Sequence, residues 1–231
     1  MSERALATFL EDVDLQGSAT FFCTQVYASL QDTSHECCPH VFLTPETNPM
    51  ETLERARVEF PDATGWRSHS GVFSHILAEQ LARTGYEYVS VHDEMGRTDL
   101  APHRHAWGLW HLPIYYMDNL DFSTPRFWGE DAPAAFARSY IENALADDGL
   151  FVFAFHPIHL MLNSPSAEAY FERRDRFEQG ADPEEVRYEG YGTRSFFDDL
   201  CAAMRASALP SIRLDEALAA YRGSAPRPTA V

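Results

Sequence analysis

Ten histidines in 231 residues is a high count, and their placement is what suggests chemistry. His35 and His40 bracket Glu36-Cys37-Cys38-Pro39, and His69 lies in Trp66-Arg67-Ser68-His69-Ser70. His92 precedes Asp93-Glu94, while His156 and His159 share the string Phe155-His156-Pro157-Ile158-His159. Imidazole ligates transition metals and titrates near neutral pH, so such groups suit metal binding or acid–base catalysis. His103, His105 and His111 fall in a Trp-rich stretch and are candidates for substrate contact; His75 faces out or packs on a neighbour. The run around His35 and His40 also admits a thiolate–imidazole zinc site or a Cys37 nucleophile. A structural zinc site, however, usually pairs C-x-x-C with a second half elsewhere, and no other Cys pair exists. A G-x-S-x-G nucleophile elbow is absent.

Composition narrows the function classes. The formal net charge of −17 argues against nucleic acid and against an anionic membrane surface, both of which attract basic patches. All 18 basic residues are Arg, which excludes a Walker-type phosphate lysine and a Schiff-base lysine. The N-terminal stretch carries Glu3, Glu11, Asp12 and Asp14 with no apolar run, so it does not read as a signal peptide. The four cysteines lack a disulfide-framework spacing and read as reduced. A cytoplasmic location and a small intracellular substrate are the expectation.

These side chains need a scaffold, and the sequence reads as alternating helix and strand. Helices are expected over 3–15, 49–58, 72–83, 133–146, 194–206 and 212–222, and β-rich segments over 18–27, 86–91, 109–116 and 150–155. Leu150-Phe151-Val152-Phe153-Ala154-Phe155 is nearly all apolar, as expected of a strand buried on both faces. This alternation argues for a parallel α/β sheet or barrel, with chemistry on loops at the carboxyl ends of strands. One domain is expected over 1–222, with a disordered tail over 223–231. A barrel rim would converge the strand-end histidines.

The order of the strings resembles the NodB-homology polysaccharide deacetylase superfamily, in its WbmS-like branch. Ala19-Thr20-Phe21-Phe22-Cys23-Thr24 is similar to the second strand of those barrels, and the loop around His40 to the following metal-ligand loop. Arg67-Ser68-His69-Ser70 resembles the branch's Arg-Ser-His-Ser motif. Leu112-Pro113-Ile114-Tyr115-Tyr116 looks like the next strand motif, and Phe155-His156-Pro157-Ile158-His159 like the string that carries the family's acid. Gly192-Thr193-Arg194-Ser195-Phe196-Phe197 matches a late string of the branch. The resemblance covers roughly residues 5 to 205. It implies an irregular (β/α) barrel of the NodB-homology type, here lacking the usual first strand and its paired Asp motif. Asp93, Glu94 and Asp118 are the candidate replacements, with Asp93 preferred.

If the resemblance holds, the chain is a metal-dependent N-deacetylase acting on an N-acetylated sugar or glycoconjugate precursor. The implied cofactor is a divalent metal, Zn2+ first, with His40 and His69 as ligands. His156 is the expected general acid, Arg67 orients a carboxylate or the substrate, and Trp66, Trp110 and His159 contact the saccharide. The competing expectation is a catalytically impaired barrel that binds carbohydrate or a partner, because the Asp pair is missing.

Overall fold

The computed structural model describes residues 2–44, 46–123 and 134–224. The expected tail therefore falls mostly outside the described residues. Two compact units emerge, Gly17–His92 with Ala101–Pro113 and Ser211–Val231, and Met1–Gln16 with Asp93–Leu100 and Ile114–Pro210.

The first of these units holds a six-stranded sheet in the order β1-β2-β3-β4-β6-β5. Its strands are β1 (Thr20–Cys23), β2 (Glu36–Val41), β3 (Gly65–Ser68), β4 (Tyr88–Val89), β5 (His103–Arg104) and β6 (Trp110–His111). Every pairing is parallel except β5 with β6. Strands β2 and β3 fall outside the segments expected to be β-rich, and β2 carries Glu36 and Pro39, residue types depleted in strands. Glu36 is accommodated by hydroxyl donors. Thr20 Oγ1 and Tyr88 Oη each donate at 2.6 Å, and Thr64 Oγ1 donates at 3.1 Å. Gly65 has no room for a side chain, since a Cβ there would lie 2.2 Å from the Tyr88 ring. Cys38, Leu53, Trp66, Leu81, Tyr88 and Val89 are fully buried and form the apolar interior. The flanking helices Pro49–Glu59 and His75–Arg83 begin at Asn48 and Ser74, whose side chains accept the Met50 and Leu77 amide hydrogens.

The second unit pairs β7 (Tyr116–Met117) in parallel with β8 (Phe153–Ala154). The expected extended segment 109–116 is thus two short strands, β6 and β7, separated by Leu112-Pro113-Ile114-Tyr115. Tyr115, Tyr116, Phe122, Phe136, Tyr140 and Phe196 dominate its core, with Tyr115 edge-on to Tyr140 at 5.9 Å. Such edge-to-face rings add to the area term of burial. Helices Pro157–Leu162, Ala167–Glu178 and Pro183–Val186, none of which the periodicity flagged, fill the stretch before Thr193–Ala206. Asn163 is the joint between them. It sits in the left-handed region at φ 49°, its Nδ2 donates to Tyr188 O and Gly190 O, and its Oδ1 accepts from Arg194 N and Ser195 N. The first turn of Thr193–Ala206 is thereby capped by a residue thirty positions away in sequence.

Candidate active site

In the second unit β7 runs directly into the helix Asp118–Ser123, and β8 is followed by His156, which caps the helix Pro157–Leu162. Pro157 at the first helical position forces the turn after His156. His159 then lies one helical turn on and faces the same way, rather than alternating as it would in a strand. Both imidazoles meet Asp118. His156 Nδ1 lies 2.6 Å from Asp118 Oδ1, and His159 Nδ1 lies 3.0 Å from Oδ2. The backbone N–H of His156 also donates to Oδ2 at 2.9 Å, and that of Asn119 to Oδ1 at 2.7 Å.

Asp118 is wholly buried, the His159 side chain is 7% exposed and that of His156 is 43% exposed. Burial alone would push the Asp118 carboxyl up, but the charge and hydrogen bonds of His156 and His159 hold it below the usual carboxylate range. Nearby Asp121 goes the other way, pushed up to about 6 chiefly by burial, while Phe136 N and Tyr116 Oη donate to it. His159 is packed edge-on against Tyr170 at 4.5 Å. That burial corrects its expected role: a side chain so enclosed positions Asp118 and offers little to a saccharide.

Asp118, His156 and His159 offer ligand atoms within 4.8 Å of one another, so the group could hold a metal ion. The hydrogen-bond inventory favours a different use. With a hydrogen on both Nδ1 atoms, each carboxylate oxygen of Asp118 accepts from two donors, which fills its capacity. The 2.6 Å contact is the length of a charge-assisted hydrogen bond and is cramped for two ligands of one ion.

In the other unit His40 in β2 stands opposite Arg67 in β3, and its Nδ1 lies 3.2 Å from the Arg67 carbonyl oxygen. Only an N–H can face that carbonyl, so the lone pair of His40 sits on Nε2. Nε2 lies 3.2 Å from His69 Nδ1. Two imidazole nitrogens bound to one ion through bonds of about 2.1 Å would subtend about 100° at this separation, an ordinary coordination angle. His69 opens a short 3-10 turn after β3, and the Phe42 ring lies 4.0 Å from it. The donor set and its carbonyl-fixed tautomer fit a divalent cation that favours nitrogen ligands.

The remaining expected site residues fall as follows. Arg67 donates through Nε to Ser90 O at 2.6 Å and through Nη2 to Ser90 Oγ at 2.8 Å, and its guanidinium lies over the Phe22 ring at 4.2 Å. Burial pushes it down to about 10, and among the described residues no carboxylate pairs with it. Trp66 is fully buried edge-on to Tyr86, and a ring with no exposed face stacks on no sugar. Trp110 is half-buried, edge-on to Tyr221 with the Arg222 guanidinium 5.4 Å from its ring centre. Asp93 is exposed and bridges Ile114 through its backbone, whereas Glu94 is ion-paired with Arg97. The carboxylate that meets the histidines is therefore Asp118. Its signal in the sequence was its place two residues after the Leu112–Tyr116 string.

The model of a family described as WbmS-like polysaccharide deacetylase matches residues 2–174. The solved structure of an inferred polysaccharide deacetylase involved in O-antigen biosynthesis, WbmS of Bordetella bronchiseptica, is 21% identical and superposes with a TM-score of 0.68, covering 86% of this chain and 83% of that one. That likeness establishes the fold. An inferred polysaccharide deacetylase from Mycobacterium smegmatis, 16% identical, aligns over 91% of this chain and 79% of its own with a TM-score of 0.45. Among functionally curated proteins no sequence matches this chain. Among the described residues no helix is long and apolar enough to cross a membrane. The family match spans well over half of the sequence, and the chain belongs to the WbmS-like polysaccharide deacetylase family, hydrolases acting on carbon–nitrogen bonds.

Proposed function

We propose that this chain is a metal-dependent N-deacetylase that removes the acetyl group from an N-acetylated sugar or glycoconjugate precursor. The observation that carries the reading is the pairing of half-exposed His156 with buried Asp118 at 2.6 Å. Amide hydrolysis needs a nucleophilic water and an amine that departs with a proton. His156 is arranged for the second task. With its Nδ1 hydrogen facing Asp118 Oδ1, the proton it could transfer is one carried on Nε2.

A bound divalent ion would lower the pKa of water and polarise the acetyl carbonyl. His40 and His69 are the residues that would hold it, and Zn2+ suits two imidazoles. Of the three carboxylates weighed as the base, Asp118 is saturated by hydrogen bonds and Glu94 is tied to Arg97. Asp93 is left as the proposed base. Arg67, fixed by Ser90 and Phe22, would hold a substrate oxygen with its fork, and Trp110 is the remaining aromatic platform for a sugar ring.

Acetate release from N-acetylated amino sugars and sugar nucleotides, with zinc-loaded protein, is the direct test. We expect release that chelation abolishes. Saccharide binding without any release would sink the enzyme reading in favour of a carbohydrate-binding protein.

A further inference from the structure

Five histidines unused by this chemistry lie together around one hairpin. His103 and His111 are directly opposed across the antiparallel β5–β6 pair, with His103 Nε2 and His111 Nδ1 2.9 Å apart. The His92 ring is edge-on to His111 at 4.6 Å, as is that of His103. His75 and His105 are 5.0 Å apart, and Phe73 is edge-on to both His92 and His105. His105 Nδ1 is buried with no hydrogen-bond partner among the described residues. A structural hairpin has no need of so many imidazoles: a Thr or Tyr pair would serve the cross-strand position as well.

We propose that His103, His111 and His92 form a second cation site, for a borderline divalent transition metal of the zinc, nickel or copper class. Imidazole selects that class over magnesium or calcium, which prefer oxygen. The facing nitrogens of His103 and His111, 2.9 Å apart, would subtend about 90° at an ion with bonds of about 2.1 Å.

The third ligand follows from the hydrogen-bond chain. The His92 backbone N–H donates to His111 Nε2 at 3.4 Å, so the His111 proton sits on Nδ1 in the ion-free cluster. Coordination through Nδ1 moves that proton to Nε2 by way of solvent, and the ion replaces both the hydrogen bond to His103 and the long contact from the His92 backbone. His92 is exposed and so has space to turn its ring toward the ion. The gain is a clamp on β5, the edge strand of the sheet, which pairs with β6 on one side.

The test uses the full-length chain and NiCl2, followed by titration calorimetry. Wild type is expected to bind two ions. His40→Ala/His69→Ala is expected to keep one, with a Kd of about 10 µM or tighter. Adding His103→Ala or His92→Ala should weaken that remaining ion by about 100-fold or more. His103 and His92 are exposed, so both variants are expected to fold, and His103→Ala alone should lower the wild-type stoichiometry by one. The proposal is overturned if His40→Ala/His69→Ala binds no nickel below millimolar concentrations, or if its binding is indifferent to His103 and His92. The result is independent of deacetylase activity.

Discussion

Asp118 holds His156 twice, through the imidazole Nδ1 at 2.6 Å and through the backbone N–H at 2.9 Å, so ring and main chain are fixed by one buried carboxylate. His159 takes the second carboxylate oxygen from the next helical turn. The two rings differ in access, His156 being 43% exposed and His159 7%, so the proposed acid and its buried neighbour can be told apart by mutation.

His156→Ala should lower kcat by about 10²- to 10⁴-fold with little change in KM, since its proton is needed only as the amine departs. His159→Ala should instead lower the melting temperature, because it empties a buried site against Tyr170 and leaves Asp118 short of a donor. Steady-state kinetics and thermal melts on both variants decide the matter. Equal rate losses with matching drops in melting temperature would place the acid elsewhere.

Asp118→Asn keeps the shape of the side chain but removes the charge that both imidazoles face. The amide can accept from only one of the two Nδ1–H groups, and the ring left without an acceptor turns. We expect a loss of kcat comparable to that of His156→Ala, together with destabilisation of about 2 kcal/mol or more in urea unfolding. A variant with wild-type rate would refute the positioning role.

Asp121 gives a pH signature. Its folded-state carboxyl, pushed up to about 6, lies above the unfolded value of 3.8, so between those values the folded state keeps a proton that the unfolded state has lost. Stability from this group is therefore lost as pH rises from 3.8 to about 6, and stays lost above it. Asp121→Asn, which can still accept from Phe136 N, should flatten that slope and stabilise the protein at pH 7 by an amount on the order of 2 kcal/mol. Unfolding free energies at pH 4, 5, 6 and 7 would show it, and an unchanged slope would contradict the assignment.

Asn163→Ala removes four hydrogen bonds that join Tyr188 and Gly190 to the first turn of Thr193–Ala206. A loss of about 3 kcal/mol is expected, more than an ordinary cap because donors and acceptors are orphaned together. Asn163→Gly, which relieves the left-handed backbone, should recover only a minor part. Gly192→Ala should be comparably damaging, as a Cβ there would meet Asn163 O at 2.2 Å.

Zinc should raise the melting temperature through preferential binding to the folded state. His40→Ala and His69→Ala should each reduce that shift and remove one bound ion per chain by elemental analysis. Retention of the full ion complement in both variants would show that the pair is not a ligand set.

Much of this was legible in the sequence because it depends on local order. The helices over 49–59, 75–83 and 193–206 follow from caps and apolar periodicity, and the family's ordered strings survive without any fold in hand. The position of His156 after an apolar strand was likewise readable. What the sequence could not supply were pairings between distant residues. Strands β2 and β3 fell outside the β-rich segments, and what seats their polar residues is distant: Thr20 and Tyr88 donate to Glu36, and Ser90 accepts from Arg67. Asp118 ranked no higher than Asp93 or Glu94, since nothing local shows that a carboxylate will be buried between two imidazoles some forty residues on. His159 and Trp66 were read as substrate contacts for the same reason: side-chain type is a property of the sequence, but exposure is decided only when the chain packs.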